Sequence, residues 1–419
     1  MRLQDYTTAN AVPKFSCAIT PGRHCPLFGV AAALRNVSGI TLIYVGTQDC
    51  VYYAQKDAMV RHLTASDRKA DHFRTLAAEL SDSDLIFGIR PQLEKLLRQE
   101  AARTDTRAIY LVTSCSVEVL SEDLQSVIKT VAKRTGKRIQ LIPTENFKTF
   151  SYYQGIEDAL TALTAELAPR PTLAKHFAVL GVRQPGGLES EPVRYLQERG
   201  YTLHSILPYD TDLDRIEELP GMEFTLVLEG SGLGVAKKLH ERFGIPYVRF
   251  DRMLHLDSIV EAWKQLAQIT GDDLTVWLTE QCAEIKALSE EVASYVSGKT
   301  FFYGQKVLYP FETCLFLAKL GMKPTAIFLG SSVDKSDEAR RELLEYGNPV
   351  MWQNASHAAI SSALEQDRPD YAIGIADTFL RPHVVKSMEF QIKPLLSGFE
   401  YYRLCLNQLL NLAKTEDAK

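Results

Sequence analysis

Short runs of β-branched and aromatic residues alternate with helical stretches along almost the whole chain, and no other feature constrains the fold as much. Strands separated by an amphipathic helix pair in parallel, because the helix is the crossover that returns the chain to the same sheet end. In the first third the strand runs are TLIYVG (41–46), LIFG (85–88), AIYLVTS (108–114) and RIQLIP (138–143). Stretches such as 91–103 and 120–136 lie between them, with apolar positions at helical spacing. The continuous apolar character of the strands predicts burial on both sheet faces.

Two prolines within three residues, at Pro169 and Pro171, resist both helix and central strand and read as a hinge. A second unit follows with strand runs at 176–182, 202–208, 224–230 and 246–250, and helices starting near Glu191 and Gly234. A helical stretch from Leu256 to Val296 leads to Gly298 and a third set of runs at 300–304, 326–330, 349–353 and 371–376. The expected fold class is therefore α/β: three successive doubly wound, Rossmann-like parallel-sheet domains spanning 1–170, 171–297 and 298–419. The last residues, TEDAK, read as a frayed tail.

The 47 basic and 52 acidic residues give a net charge of −5 and are interspersed, which argues against a nucleic-acid groove or a membrane patch. No 18-residue apolar run occurs, and the start, MRLQDYTTANAVPKFS, carries no secretory pattern, so the expectation is a soluble, cytoplasmic protein. The seven cysteines are too scattered for a disulfide framework, and their odd number forbids complete internal pairing. In a reducing compartment such thiols serve as core residues, metal ligands or nucleophiles.

Three of them share one context. Cys50 follows the run 41–46 after a short turn, and Cys115 follows 108–114 directly. In an open parallel sheet the ligand crevice lies beyond the carboxyl ends of the strands, so these two thiols are expected in one crevice. Cys25 sits in the loop TPGRHCPLFG just before an alanine- and leucine-rich helix. A helix N-terminus lowers a thiol pKa, and this is the expectation for Cys25 and Cys115. Any one of these cysteines alone reads as a small buried hydrophobe; three in equivalent loops read as a site. Zinc is disfavoured, because no close Cys-x-x-Cys pair or histidine couple is present and His24 merely adjoins Cys25. Thiolates drawn from separated loops suit an iron–sulfur cluster better.

The segments HCPLFGVAAAL, VGTQDCVYY and VTSCSVEVLSEDL resemble the N-terminal cysteine triad of the nitrogenase component 1 superfamily. That superfamily holds nitrogenase molybdenum–iron subunits, their cofactor-assembly scaffolds, the protochlorophyllide and chlorophyllide reductases, the nickel-sirohydrochlorin cyclase and the methylthio-alkane reductase. The gaps of 25 and 65 residues between the cysteines agree with its pattern. The resemblance extends over nearly the whole chain, with its specific motifs in the first 160 residues. It implies a two-component reductase in which a separate ATP-hydrolysing iron protein delivers single electrons to a cluster between two related subunits. Carried over by residue, Cys25, Cys50 and Cys115 would ligate that cluster, and Gly22 and Gly46 would let backbone approach it.

The departures from nitrogenase are informative. Where the catalytic subunit has its cofactor cysteine, this chain reads TLVLEGSGLG, placing Leu228, Glu229 or Gly230 there. The histidine-bearing loop is missing, since EFQIKPLLSGFEYY runs into the final helix, and His357 and His383 read as helix or loop residues. The triad without cofactor ligands resembles a β-type subunit. Its partners would be a homologous α-type catalytic subunit, as in an α2β2 heterotetramer, or a second copy of itself, together with the iron protein. At the β-type subunit's extra serine ligand the chain reads PTENFKTFSYY, with Asn146 at that position and Ser151 further on. This leaves open a P-cluster-type 8Fe-7S cluster or a 4Fe-4S cluster, shared with the partner.

Cys17 lies eight residues before Cys25 and could approach the cluster, whereas Cys282, Cys314 and Cys405 read as core residues. Glu118, Glu122 and Asp123 read either as docking acids for the iron protein or as a solvated helix face. GSGLG at 230–234 could cradle an anion, but no P-loop occurs, so the ATP chemistry belongs to another protein. No catalytic residue is assigned. The favoured function is electron relay, with a lean to C–S reduction of methylthio-alkanes. The alternatives are an assembly scaffold, a tetrapyrrole reductase subunit or a conventional NAD- or sugar-binding α/β protein.

Overall fold

The structure is a computed structural model describing residues 1–6, 25–35, 37–64, 73–145, 148, 151–183, 189–209, 211–304, 309–329, 337–353, 357–374, 386–390 and 397–415. Among these, the side chains of 57–64, 73, 337 and 357 are outside the description. Cys17, Gly22, His24, Asn146 and His383 fall outside the described residues. The fold divides into two compact units. One comprises Gly22–Pro185 and Tyr201–Tyr247; the other comprises Met1–Pro21, Gly186–Gly200 and Val248–Lys419.

The first unit opens with α1 (Pro26–Leu34), β1 (Ile40–Gly46), α2 (Gln48–Thr64), β2 (Phe73–Glu79), α3 (Asp82–Phe87) and α4 (Arg90–Ala101). It continues with β3 (Ala108–Thr113), α5 (Cys115–Leu120), α6 (Leu124–Thr135), β4 (Arg138–Pro143) and α7 (Tyr152–Leu163). The four strands form a parallel sheet in the order β2-β1-β3-β4. Alternate residues face opposite sides: Leu42, Tyr44, Tyr110 and Val112 join one core with Leu27 and Ile156. Ile43, Val45, Ile109 and Leu111 join another with Leu93, Leu97, Ile128 and Val131. All eight of these strand residues are fully buried, so both faces are covered, as the apolar runs predict. At roughly 1.5–3 kcal/mol per large side chain, this burial is the main force holding the sheet.

The expected strand at 85–88 is corrected: those residues belong to α3 and the turn after it, and the missed strand is β2. Ser81 accepts the Asp84 N–H and its own N–H donates to the Asp84 carboxylate, a capping box that starts a helix here. Leu85, Ile86 and Phe87 point to solvent, so an apolar run is not here a buried strand.

The same unit holds a second parallel sheet from β5 (Leu173–Leu180), β6 (Thr202–Leu207) and β7 (Met222–Val227), and α8 (Leu233–Phe243) follows it. Within the unit the spatial order is β7-β5-β6. A short parallel pairing of Val37–Ser38 with Thr211–Asp212 adds to the unit's internal ties.

The other unit contains α9 (Leu256–Thr270) and α10 (Thr275–Val296), so the expected helical stretch is two helices divided at Gly271, which adopts φ +76°. Its sheet is built from β8 (Thr300–Tyr303), β9 (Lys323–Leu329), β10 (Val350–Gln353), β11 (Tyr371–Ile373) and β12 (Lys386–Met388). The order is β10-β9-β8-β11-β12, all parallel; β12 was not expected from the sequence. α11 (Pro310–Lys319) and α12 (Phe399–Lys414) complete this unit. Trp263 anchors it at 1% exposure, with Tyr195, Phe250 and Trp277 edge-on at 4.8–5.3 Å. The α/β class with successive parallel sheets is as the sequence predicts.

Candidate functional site at the first strand-order reversal

After β1 the chain adds β2 on one side, then returns to place β3 on the other. The crevice beyond the ends of β1 and β3 is thus the sheet's reversal point, where open α/β sheets bind ligands. Val45 pairs with Thr113, and the Ser114 N–H donates to the Val45 carbonyl at 2.8 Å. Cys50 lies in the first turn of α2, beyond β1, and Cys115 is the first residue of α5, beyond β3.

Cys25 reaches this crevice because α1 and α7 cross at backbone contact. A Cβ on Gly29 would lie 1.9 Å from the Tyr152 carbonyl oxygen, and one on Gly155 would lie 2.0 Å from that of Pro26. Only glycine fits at either position. Cys25 is the N-cap of α1, and the nearby Leu27 and Phe28 N–H groups favour its thiolate. It lies close enough to Cys50 and Cys115 for both to influence its titration, and Cys25 and Cys50 pack against the same core. The structure therefore gathers the three sequence-selected cysteines around one crevice. Among the described residues no three His, Cys, Asp or Glu side chains are grouped as the ligands of a single metal ion would be. A donor set of half-buried thiols at the starts of separate helices fits a larger iron–sulfur cluster.

The expectation of lowered thiol pKa values is corrected. Burial pushes Cys25 up to about 11; the Leu27 N–H pulls against it, the Cys50 and Cys115 thiols add to the rise, and the Phe28 N–H pulls least. Cys115 is also raised, first by burial and then by Cys50. Thiolates crowded together in a poorly solvated place repel, and helix N-termini do not outweigh that; a bound cation would.

Gly46 permits another close approach: a Cβ there would lie 2.3 Å from Ser114 Oγ and 3.8 Å from Cys50 Cβ. Ser114 is 1% exposed, and its hydroxyl is 2.7 Å from that of Ser116. These serines flank Cys115 in VTSCSV, the one sequence signal that could have marked them.

The three acids read as docking residues or a solvated face each make a local hydrogen bond, and Asp123 is exposed. Glu118 accepts from the Thr113 hydroxyl, Glu122 accepts the Ile89 N–H at 2.9 Å, and Asp123 caps α6 through the Ser126 N–H at 3.0 Å. Several apolar side chains lie exposed at this end of the sheet, Ile86 at 74% and Phe87 at 83%, with Tyr52, Tyr53 and Val119 on the cysteine-bearing helices α2 and α5, beside exposed acids such as Asp49 and Asp82. Ser151 is spent as the cap of α7, accepting the Gln154 N–H at 3.2 Å. Cys314 and Cys405 are buried as expected, whereas Cys282 is half-exposed on α10.

The second sheet reverses between β5 and β7, and there Arg183 donates to Glu229 at 2.8 Å. The Arg183 guanidinium lies 5.7 and 5.8 Å from the Tyr152 and Tyr153 rings. The position read as the missing cofactor cysteine thus carries an ion pair. The GSG turn before α8 packs closely on the second sheet: a Cβ on Gly232 would lie 2.5 Å from the Leu180 carbonyl carbon.

The profile of the nitrogenase component 1 type oxidoreductase family matches residues 25–378, beginning at the first thiol of the crevice. The chain belongs to that family. It is 22% identical over 400 residues to the nitrogenase iron–molybdenum cofactor biosynthesis protein NifN of a Nostoc species, covering 87% of this chain and 88% of the relative. It is 24% identical over 358 residues to the nitrogenase vanadium–iron protein beta chain of Trichormus variabilis, covering 75% and 76%. It is 21% identical over 307 residues to NifE of Methanococcus maripaludis, covering 70% of this chain and 62% of the relative's length. A solved structure of nitrogenase Cp1 at pH 6.5 superposes with a TM-score of 0.73 at 14% identity, covering 96% of this chain and 94% of that one. The nitrogenase component 1 fold is thereby shown. No helix among the described residues is long and apolar enough to cross a membrane.

Proposed function

We propose that this chain is a β-type electron-relay subunit of a nitrogenase-like two-component reductase. The observation that carries the reading is the convergence of Cys25, Cys50 and Cys115 on the reversal point of the first sheet. These three thiolates hold an iron–sulfur cluster of the 8Fe-7S or 4Fe-4S type and a partner supplies the remaining ligands, the partner being an α-type subunit in an α2β2 assembly or a second copy of this chain. When bound, the cluster supplies one-electron storage at a potential that burial and hydrogen bonds to sulfur set. The chain's own residues orient the ligands: the first turn of α1 sets the Leu27 and Phe28 N–H groups near Cys25, Gly46 leaves room for the Ser114 side chain beside Cys50, and Glu122 locks the turn after α3. The exposed Ile86 and Phe87 form the apolar face on which the ATP-hydrolysing iron protein docks. The Arg183–Glu229 pair supports a chain without an active-site metal cofactor of its own, so that reduction occurs on the partner. Methylthio-alkane C–S bonds are the substrate class proposed, and the setting proposed is the cytoplasm.

Anaerobic purification with iron and sulfide analysis tests this. Several irons per chain are expected, and alanine at Cys25, Cys50 and Cys115 together should bleach the protein. Colourless protein made with full cluster assembly, or a brown triple variant, sinks the reading. A second reading, a cofactor-assembly scaffold, is favoured by the likeness to NifN over 87% of the chain. Transfer of a metal cluster from the purified complex to a cofactor-free nitrogenase, without substrate reduction by the complex, would select it.

A further inference from the structure

Two of the chain's three tryptophans touch each other, and a tyrosine continues the contact. The ring of Trp277 on α10 lies 4.8 Å from that of Trp263 on α9, and Trp263 lies 5.1 Å from Tyr195, both pairs edge-on. Indole and phenol rings are the aromatic side chains that a strong one-electron oxidant attacks, and rings in contact exchange an electron readily. What becomes of the proton differs along the row. Trp263 is 1% exposed and its Nε1–H finds no acceptor among the described residues, so an oxidised Trp263 keeps its proton and stays a cation. The half-buried Tyr195 instead donates its hydroxyl to the Asp272 carboxylate, which Arg199 Nε and, at 3.1 Å, the Thr270 hydroxyl hold in place. Burial, and then the bond to Asp272, push the Tyr195 hydroxyl up to about 12, so the resting phenol is protonated. The Arg199 guanidinium lies 3.6 Å from the centre of that ring and opposes a cationic radical on it. An electron therefore leaves Tyr195 only as its proton passes to Asp272.

We infer that Trp277, Trp263 and Tyr195 form a one-electron relay that drains oxidising equivalents from a buried indole to a half-buried tyrosine. The oxidant is of the reactive-oxygen class, the hydroxyl radical that peroxide forms with ferrous iron. It takes one electron from an indole and one proton from solvent and becomes water. The indole cation takes an electron from Tyr195, whose proton moves to Asp272, leaving a neutral tyrosyl radical and a carboxylic acid. A thiol or ascorbate in solution returns the electron, and Asp272 returns the proton. All of these residues belong to the unit that holds Val248–Lys419, and the relay does not rest on the cluster reading.

The test is laser-flash oxidation of the anaerobically purified protein with photogenerated ruthenium(III) tris-bipyridine, followed by transient absorption and by electron paramagnetic resonance of frozen samples. The wild type should form a tyrosyl radical, and form it more slowly in heavy water. Tyr195→Phe should lose that signal and leave a tryptophan radical in its place. Asp272→Asn should do the same, because an amide takes no proton. Trp263→Phe should lower the tyrosyl yield, since a phenyl ring is not oxidised under these conditions. A wild type that forms no tyrosyl radical overturns the inference, as does a signal that survives Tyr195→Phe or is unchanged in Asp272→Asn. An unchanged yield in Trp263→Phe also overturns it, because Tyr195 is then oxidised without the indole. If Trp263→Phe fails to fold, Trp277→Phe decides in the same way, because Trp277 is only half-buried.

Discussion

Arg183 Nη2 donates to Glu229 Oε1 at 2.8 Å across the point where the second sheet reverses its strand order. The pair closes the crevice that such a sheet ordinarily offers to a ligand, and Tyr152 adds a hydroxyl 3.4 Å from Arg183 Nη1. Glu229→Ala leaves a guanidinium in a poorly solvated place without its carboxylate. The expected cost is on the order of 3 kcal/mol, read as a lower denaturant midpoint at unchanged slope. A double Arg183→Met, Glu229→Leu variant should lose far less, since an ion pair replaced whole by apolar groups is often neutral.

Single alanine substitutions at Cys25, Cys50 and Cys115 should each lower the iron content of the purified protein. Cys282→Ala, on the half-exposed face of α10, should leave it unchanged. Equal iron in all four variants would place the metal somewhere other than the first sheet's crevice.

Gly155→Ala should destabilise the first unit and reduce cluster retention together. The added Cβ would lie 2.0 Å from the Pro26 carbonyl oxygen, a backbone atom that cannot swing aside. Pushing α1 from α7 costs about 1–3 kcal/mol on the scale of overpacked cores and moves Cys25, the N-cap of α1. Thermal unfolding and iron analysis of one preparation check both.

Glu191 gives the other unit a pH dependence. Burial pushes its carboxyl up to about 7, against the Glu400 N–H that donates to it at 3.2 Å and Arg403, which both favour the ionised form; the Glu400 carboxylate opposes them. A pKa raised on folding means that the folded state holds the proton more tightly. The stabilisation is therefore complete below the ordinary value of 4.5 and is lost as pH rises through about 7. Unfolding measured between pH 5 and 8 should show this decline, roughly 3 kcal/mol if undiscounted, and Glu191→Gln should flatten it.

Phe87→Ser and Ile86→Ser remove apolar surface that is already in water, so stability should move by no more than about 0.5 kcal/mol. Electron delivery from the iron protein should slow by roughly tenfold in half-saturation, with iron content intact. Unchanged delivery would show that the face docks nothing in that reaction.

The runs at 41–46 and 108–114 were legible as strands because each is buried on both sides, and burial selects continuous apolar sequence, whereas the edge strand at 138–143 buries only Ile139 and Ile142. The run 85–88 failed for the converse reason. Its apolar residues are exposed, while the edge strand β2 beside them has the mixed composition of a half-covered surface. The capping box at Ser81 and Asp84 was the local signal that outranked hydrophobicity.

Residue identity alone thus determined the parallel α/β class, the family resemblance and the three cysteines to follow, because strand–helix alternation and motif spacing are properties of the chain. Tertiary structure decided what the sequence could not rank. The strand order put Cys50 and Cys115 on either side of a reversal point, and the glycine crossing of α1 and α7 brought Cys25 to them. Burial reversed the expected direction of the thiol pKa shifts, since desolvation depends on the surroundings assembled in space and a helix N-terminus read from sequence supplies only one of the competing fields.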